Sequence, residues 1–170
     1  VIENELKYVL TDNFPDLYFD KFCGPPVSIN QGYLPGKARI RSKTSTKGVT
    51  HFFTYKLPVG DVLFEIEKKI TPHEFEMLWP HTERRLTKLR YVRFEGSVQW
   101  DIDLFFDHGH QYFVMAEAEM PETMREPPSI PDFLKLVLLY AVPRERTKEF
   151  TSNRISNPEY AQTLMDTLRE

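Results

Sequence analysis

Val98-Gln99-Trp100-Asp101-Ile102-Asp103-Leu104-Phe105-Phe106 alternates apolar Trp100, Ile102 and Leu104 with acidic Asp101 and Asp103. Successive strand side chains point to opposite faces, so this run is predicted to be a strand with both carboxylates on one face and an apolar set on the other. Outward from it, Ile2–Leu10, Lys37–Ser42, Thr50–Lys56, Val62–Ile70, Arg85–Phe94 and Gln111–Met120 show the same alternation. Glu3, Glu5 and Lys7 share a face, as do Arg39 with Arg41, Glu65 with Glu67, Lys88 with Arg90 and Glu117 with Glu119, while Lys56 ends another strand. The opposite faces carry Ala38 and Ile40, Phe64 and Ile66, and Ala116 and Ala118, which can pack. An ordinary sheet with one face in water accounts for any single doublet. Six tight like-charge doublets are harder to explain so, because a solvated face usually mixes polar residue types. Same-sign charges on one face repel, and a place that concentrates them needs counter-ions or a charged ligand. Carboxylates suit Mg²⁺ or Mn²⁺, and Arg and Lys suit phosphoryl oxygens, so the pattern implies a ligand of both metal and phosphate character. A barrel would bring the two sets together, since closed strands direct alternate residues inward.

The remaining sequence bounds this reading. With 170 residues, 41% hydrophobic and 14% aromatic, the chain fits one domain, residues 1–170, with a sizeable core. A net charge of −3 and a pI near 6.0 give no global attraction to nucleic acid or an anionic membrane. The single Cys23 cannot form an internal disulfide, and no Cys/His cluster has zinc spacing, so a reducing, cytoplasmic setting is expected. The longest apolar run, Phe133 to Val142, is interrupted by Lys135 and is too short to span a bilayer. A short helix is expected over His73–Trp79, capped by Thr71 and ended by Pro80. Pro131–Tyr140 and Pro158–Leu168 also read as helices, the second with Asn157 as N-cap. The class is α+β, mainly antiparallel β. His108-Gly109-His110 reads as a turn, and no histidine has a nucleophile partner or metal spacing.

Residues 1–120 resemble the triphosphate tunnel metalloenzymes, or CYTH superfamily. Glu3-Asn4-Glu5-Leu6-Lys7 matches that family's E-x-E-x-K strand. Gln31-Gly32-Tyr33-Leu34, Arg39-Ile40-Arg41, Phe53-Thr54-Tyr55-Lys56, Glu65-Ile66-Glu67, Lys88-Leu89-Arg90-Tyr91, Asp101-Ile102-Asp103 and Glu117-Ala118-Glu119 follow in family order. Phe75-Glu76-Met77-Leu78-Trp79-Pro80 looks especially like small bacterial inorganic triphosphatases. The resemblance implies a closed eight-stranded antiparallel β-barrel with short flanking helices and a C-terminal helix. It implies that Lys7, Arg39, Arg41, Lys56, Lys88 and Arg90 hold phosphates, and that Glu3, Glu5, Glu65, Glu67, Asp103, Glu117 and Glu119 face Mg²⁺ or Mn²⁺. Tyr33 and Lys56 match a pair proposed to assist catalysis, and Arg154 is carried over from a looser match in Glu149–Asn157. The implied partner is a small-molecule triphosphate, most simply inorganic tripolyphosphate, with no nucleic acid or membrane and with a homodimer left open. Thiamine or nucleoside triphosphate hydrolysis, a class IV adenylyl cyclase and a non-catalytic polyphosphate-binding module are the alternatives. Asp16-Leu17-Tyr18-Phe19-Asp20 resembles a D-x-Y-F segment of the cyclases. Residues 121–170 depart from the family pattern, and the apolar stretch from Pro131 to Val142 is expected to be a helix packed on the barrel.

Overall fold

The computed structural model describes all residues 1–170. Strands β1 (Ile2–Glu3) and β2 (Glu5–Leu10) precede helix α1 (Tyr18–Cys23). Then come β3 (Val27–Tyr33), β4 (Ala38–Ser45), β5 (Gly48–Val59), β6 (Val62–Ile70) and α2 (Pro72–Leu78). They are followed by β7 (Arg84–Glu95), β8 (Val98–Asp107), β9 (His110–Glu119), α3 (Asp132–Lys135), β10 (Leu138–Ala141), α4 (Ser152–Ile155) and α5 (Pro158–Arg169). Every pairing is antiparallel, so the expected α+β class with mainly antiparallel β holds.

The expected closed eight-stranded barrel is not what the backbone ladder draws. One ten-stranded sheet runs in the open order β1-β6-β5-β4-β3-β7-β8-β9-β2-β10. The break lies at Asn4, whose Nδ2 donates to the carbonyls of Pro121 (2.8 Å) and Met124 (2.9 Å) and whose own carbonyl accepts from the Met120 N–H at 2.9 Å. Loop 120–124 thus takes the groups that would continue a strand, and pairing with β6 stops at Ile2 and Glu3.

The helix expected over 131–140 is also corrected. Only Asp132–Lys135 is helical, and Leu138–Ala141 forms β10 on the edge of β2, flanked by Thr11 N–H to Val137 O at 2.8 Å and Val142 N–H to Lys7 O at 2.9 Å. An exposed strand edge carries unpaired N–H and C=O groups, and this apolar run satisfies them while burying Val137 and Val142.

Both expected helix caps are present. Thr71 Oγ1 accepts from the Glu74 N–H at 3.1 Å, and Glu74 Oε1 accepts from the Thr71 N–H at 2.9 Å, so a capping box starts α2. Asn157 Oδ1 accepts from the Glu159 N–H at 3.0 Å to start α5. In the turn after α2, Trp79 and Thr82 lie on Gly32, where a Cβ would stand 2.5 Å from Thr82 Cγ2 and 2.9 Å from the Trp79 ring. This close approach is the physical reason for glycine between Gln31 and Tyr33.

Two apolar clusters flank the sheet. On the outer face, Leu6, Tyr8, Trp100, Ile102, Leu104, Ala116 and Ala118 pack under Phe19 of α1 and Phe133 and Leu134 of α3. On the inner face, Val9, Leu86, Phe105, Phe113 and Met115 are covered by Phe150, Ile155 of α4, and Ala161, Leu164 and Met165 of α5. The inner face is therefore apolar where the C-terminal helices lie on it and charged elsewhere. No helix is long and apolar enough to cross a membrane.

Candidate functional site

Strand register gathers the sequence doublets on the inner face. Glu5 stands opposite Glu119, Lys7 opposite Glu117, Asp101 opposite Glu117, and Arg90 opposite Asp103. Farther round, Arg39 stands opposite Thr54, Thr54 opposite Glu67 and Lys56 opposite Glu65. The period of two that made the charges visible in sequence thus places them together.

The β7–β8 side is dry and internally paired. Arg90 Nε donates to Asp103 Oδ1 at 2.7 Å and its Nη2 to Oδ2 at 2.8 Å, while Lys88 Nζ donates to the same Oδ2 at 2.9 Å. Lys88 and Asp103 are 1% and 0% exposed, so neither charge is solvated. Burial raises the Asp103 carboxyl, but Arg90 and Lys88 outweigh it and hold Asp103 below its ordinary range. Burial pushes Lys88 down to about 7 against the attraction of Asp103. Arg90, opposed by burial and then favoured by Asp103, stays protonated.

The acidic edge is different. Lys7 Nζ lies 3.7 Å from Glu5 Oε1 and donates to the Phe150 carbonyl at 3.1 Å, tying β2 to the C-terminal segment. Burial, followed by the charge of Glu117, raises Glu5 well above the carboxylate range. Burial also opposes ionisation of Glu117, but Lys7 and a hydrogen bond with Glu5 hold it below that range. Glu119 is pushed up to about 7 by burial and then by Asp101. This edge thus has more carboxylate than cation to balance it.

On the β4–β6 side Arg41 Nη2 donates to Glu67 Oε2 at 2.7 Å, and Lys56 Nζ lies 2.9 Å from Glu3 Oε1 and 4.0 Å from Glu65 Oε2. Burial, then the neighbouring cations Arg39 and Arg90, pull Arg41 down to about 10. Arg39 has no acidic partner. Four of the six buried side-chain polar atoms without a partner belong to this face: Glu3 Oε2, Gln31 Oε1, Arg39 Nε and Arg41 Nε. Unmet donors beside an unmet carboxylate oxygen are the arrangement expected of a surface shaped to complete its bonding with a ligand.

The structure therefore brings Glu3, Glu5, Lys7, Arg39, Arg41, Lys56, Glu65, Glu67, Lys88, Arg90, Asp103, Glu117 and Glu119 to one inner face. It does not gather three or more acidic, histidine or cysteine side chains into a metal-holding group. Tyr33 Oη accepts from Gln31 Nε2 at 2.6 Å, whereas Lys56 bonds to Glu3, so Tyr33 and Lys56 have different partners. Burial raises the Tyr33 hydroxyl above its ordinary value, against the cationic pull of Arg39. Arg154 is exposed on α4 and makes no side-chain hydrogen bond. Asp16–Asp20 leads into α1 on the outer face, where Asp20 Oδ1 accepts from Tyr91 Oη at 2.9 Å, so that segment is not part of this site. Sequence reasoning missed Lys43 and Gln31. Lys43 continues the Arg39, Arg41 alternation by one step, and β4 runs past the expected end at Ser42 to Ser45.

No protein-family model matches the chain. A curated protein, the inorganic triphosphatase of Nitrosomonas europaea, is 35% identical over 85 residues, which cover 48% of this chain and 56% of that relative. The chain thus spans little more than half the length of the curated relative it matches. Among solved structures, a chain of the Schizosaccharomyces pombe Mediator head module has a TM-score of 0.50 at 11% identity, covering 98% of this chain and 92% of that one, a likeness of fold alone. A candidate adenylate cyclase from Bacillus halodurans has a TM-score of 0.49 at 15% identity, covering 69% and 80%. An antiparallel sheet with mixed charges on its inner face is thus joined to a sequence likeness, over 85 residues, to one inorganic triphosphatase.

Proposed function

We propose that the inner face binds and hydrolyses a triphosphate, inorganic tripolyphosphate first, releasing diphosphate and phosphate. The observation that carries this reading is the unmet bonding of Arg39 Nε, Arg41 Nε and Glu3 Oε2 on one buried face that also holds Lys56, Lys88 and Arg90. Simple anion capture needs no carboxylates. The acid excess at Glu5, Glu117 and Glu119, with the orphaned Glu3 oxygen, has the donor chemistry a divalent cation takes, and since these carboxylates do not converge as they stand, they would hold it only by drawing together. Glu65, Glu67 and Asp103 are engaged by Lys56, Arg41 and the Lys88–Arg90 pair, and would join it only on rearrangement. A bound Mg²⁺ or Mn²⁺ would neutralise phosphate oxygens and favour a nucleophilic water. The protein's own cations would align the phosphate chain and stabilise the charge that develops as the P–O bond breaks.

The curvature that this requires follows from the N-terminal run. Residues 2–3 pair with β6 and residues 5–9 with β9, so one short stretch touches strands near both ends of the sheet. We infer that the charged face is wrapped round into a tunnel across Asn4, with the Lys56–Glu3 ion pair fastening β5 to β1.

The test is incubation with tripolyphosphate, ATP and thiamine triphosphate, each with Mg²⁺, Mn²⁺ or EDTA, with products resolved by ion chromatography. The expected outcome is phosphate release that is greatest with tripolyphosphate, abolished by EDTA and lost in Glu5→Ala and Arg41→Ala. Cyclic AMP with diphosphate from ATP, or triphosphate binding without turnover, would overturn it.

A further inference from the structure

Among the inner-face cations Arg39 and Lys43 lack a carboxylate partner, and Lys43 is the one farther from the covered end. Lys7, Arg41, Lys56, Lys88 and Arg90 each lie within 4.0 Å of a carboxylate, whereas Lys43 has no salt bridge. It is only partly exposed and sits with its Nζ 5.0 Å from the centroid of the Phe52 ring. Its strand neighbours on this face are Ile29 of β3 and Thr50 of β5, neither of them charged. The charged groups facing it are Arg41, Arg90, Glu67 and Asp101, and burial followed by the two arginines draws its ammonium down to about 8. A cation partly withdrawn from water, held over an aromatic face and with no carboxylate in contact is poised to receive an anion.

Position supplies the rest. Arg39, opposite Tyr33, lies toward the end of the face covered by the C-terminal helices: Tyr33 packs with the cluster containing Phe150 and Ile155, and neighbouring Arg84 donates to the Asn153 carbonyl at 3.2 Å. Lys43 lies toward the opposite end, next to the turn between β4 and β5. At about 3.3 Å per residue, Arg39 to Lys43 spreads three same-face cations over roughly 13 Å. An anionic chain seated at Arg39 and Arg41 can lengthen only away from the covered end, which is toward Lys43.

We propose that Lys43 forms a subsite for a fourth phosphate, so that the site takes linear inorganic polyphosphates longer than three units. This rests on the reading of the inner face as a phosphate-chain site, and it adds a direction of growth and a length preference. Lys43 is a binding residue for the added phosphate and does not touch the bond broken in a triphosphate.

The experiment measures tripolyphosphate and tetraphosphate in parallel, by calorimetric binding in EDTA and by phosphate release with Mg²⁺, for the wild type, Lys43→Gln and Lys43→Arg, with circular dichroism to check folding. Wild type is expected to bind tetraphosphate more tightly than tripolyphosphate. Lys43→Gln should weaken tetraphosphate binding about tenfold, as expected for one charged hydrogen bond, while changing tripolyphosphate binding by less than about threefold. Lys43→Arg should restore the preference. Equal binding of the two chains by wild type, or equal losses for both in Lys43→Gln, would overturn the subsite. Phosphate release that fails for both chains while the Lys43-dependent binding preference persists would overturn hydrolysis and leave the subsite standing.

Discussion

The two limbs of the sheet solve opposite problems. In the β7–β8–β9–β2 limb the outer face is sealed by α1 and α3, the inner face is partly sealed by α4 and α5, and the buried charges of β7 and β8 are already matched, the acid excess being confined to the edge formed by β9 and β2. In the β4–β5–β6 limb Leu57, Phe64 and Ile66 are 39%, 39% and 54% exposed on the outer face, and Arg39 and Lys43 lack acidic partners on the inner one. The paired charges of β7 and β8 are structural commitments, since a buried ion pair is costly to break even where forming it gained little. Charges in the second limb retain unused bonding capacity, which is left for a ligand.

The largest expected effect breaks the first limb. Asp103→Ala leaves Lys88 buried with no carboxylate contact and Arg90 with only Asp101 at 3.4 Å, and should cost about 3–5 kcal/mol in denaturant unfolding. Glu67→Ala strips the buried Arg41 of its carboxylate at a place water can reach, the Glu67 side chain being 31% exposed, and should cost less, about 1–3 kcal/mol. Similar losses for the two variants would show that the limbs do not differ as described.

The junction between the limbs comes next. Gly32 lies on β3, between β4 and β7, under Trp79 and Thr82. Gly32→Val should displace that turn and cost about 1–3 kcal/mol, the range for overpacking, with a change in tryptophan fluorescence. An unshifted midpoint would mean that the turn after α2 yields freely and does not fix the junction.

What the sequence disclosed follows the same division. The doublets at Arg39/Arg41, Lys88/Arg90, Asp101/Asp103 and Glu117/Glu119 were legible because strand periodicity is local, as were the caps at Thr71 and Asn157. Which acids would be claimed by cations was not legible: Asp103 reads like Glu119, yet one is clasped by Lys88 and Arg90 and the other is left with Asp101. Residues 138–141 looked helical because a short apolar run fits either period, and the choice was made by the free edge of β2, remote in sequence. The break in the sheet was hidden for a similar reason, since the interruption at Asn4 depends on carbonyls of Pro121 and Met124.

A smaller effect concerns the acidic edge, where the metal-free protein should show a pH signature. The Glu119 carboxyl is raised from 4.5 to about 7, so the folded chain holds this proton more tightly than the unfolded one. That stabilising contribution is full below 4.5 and is lost as pH rises through about 7. Unfolding midpoints in EDTA should therefore fall over that window for this contribution, and Glu119→Gln should flatten the fall. Because Glu119 is partly solvated, the difference should be below about 1.4 kcal/mol, the equivalent of one pKa unit. Identical slopes in both proteins would show that the carboxyl is balanced by a cation after all.

The smallest effect tests the bare outer face of the second limb. Ile66 is 54% exposed on β6, paired with Tyr55, and belongs to neither buried cluster. Ile66→Thr keeps the β-branched shape favoured in strands and removes little apolar area from contact, so stability should stay within about 0.5 kcal/mol. The same change at Ile102, fully buried against α1 and α3, would place an unpartnered hydroxyl in the core and should cost well over 1 kcal/mol. If Ile66→Thr were as costly as Ile102→Thr, the outer face of β6 would have to be covered in solution, and the two limbs would be alike in having both faces packed.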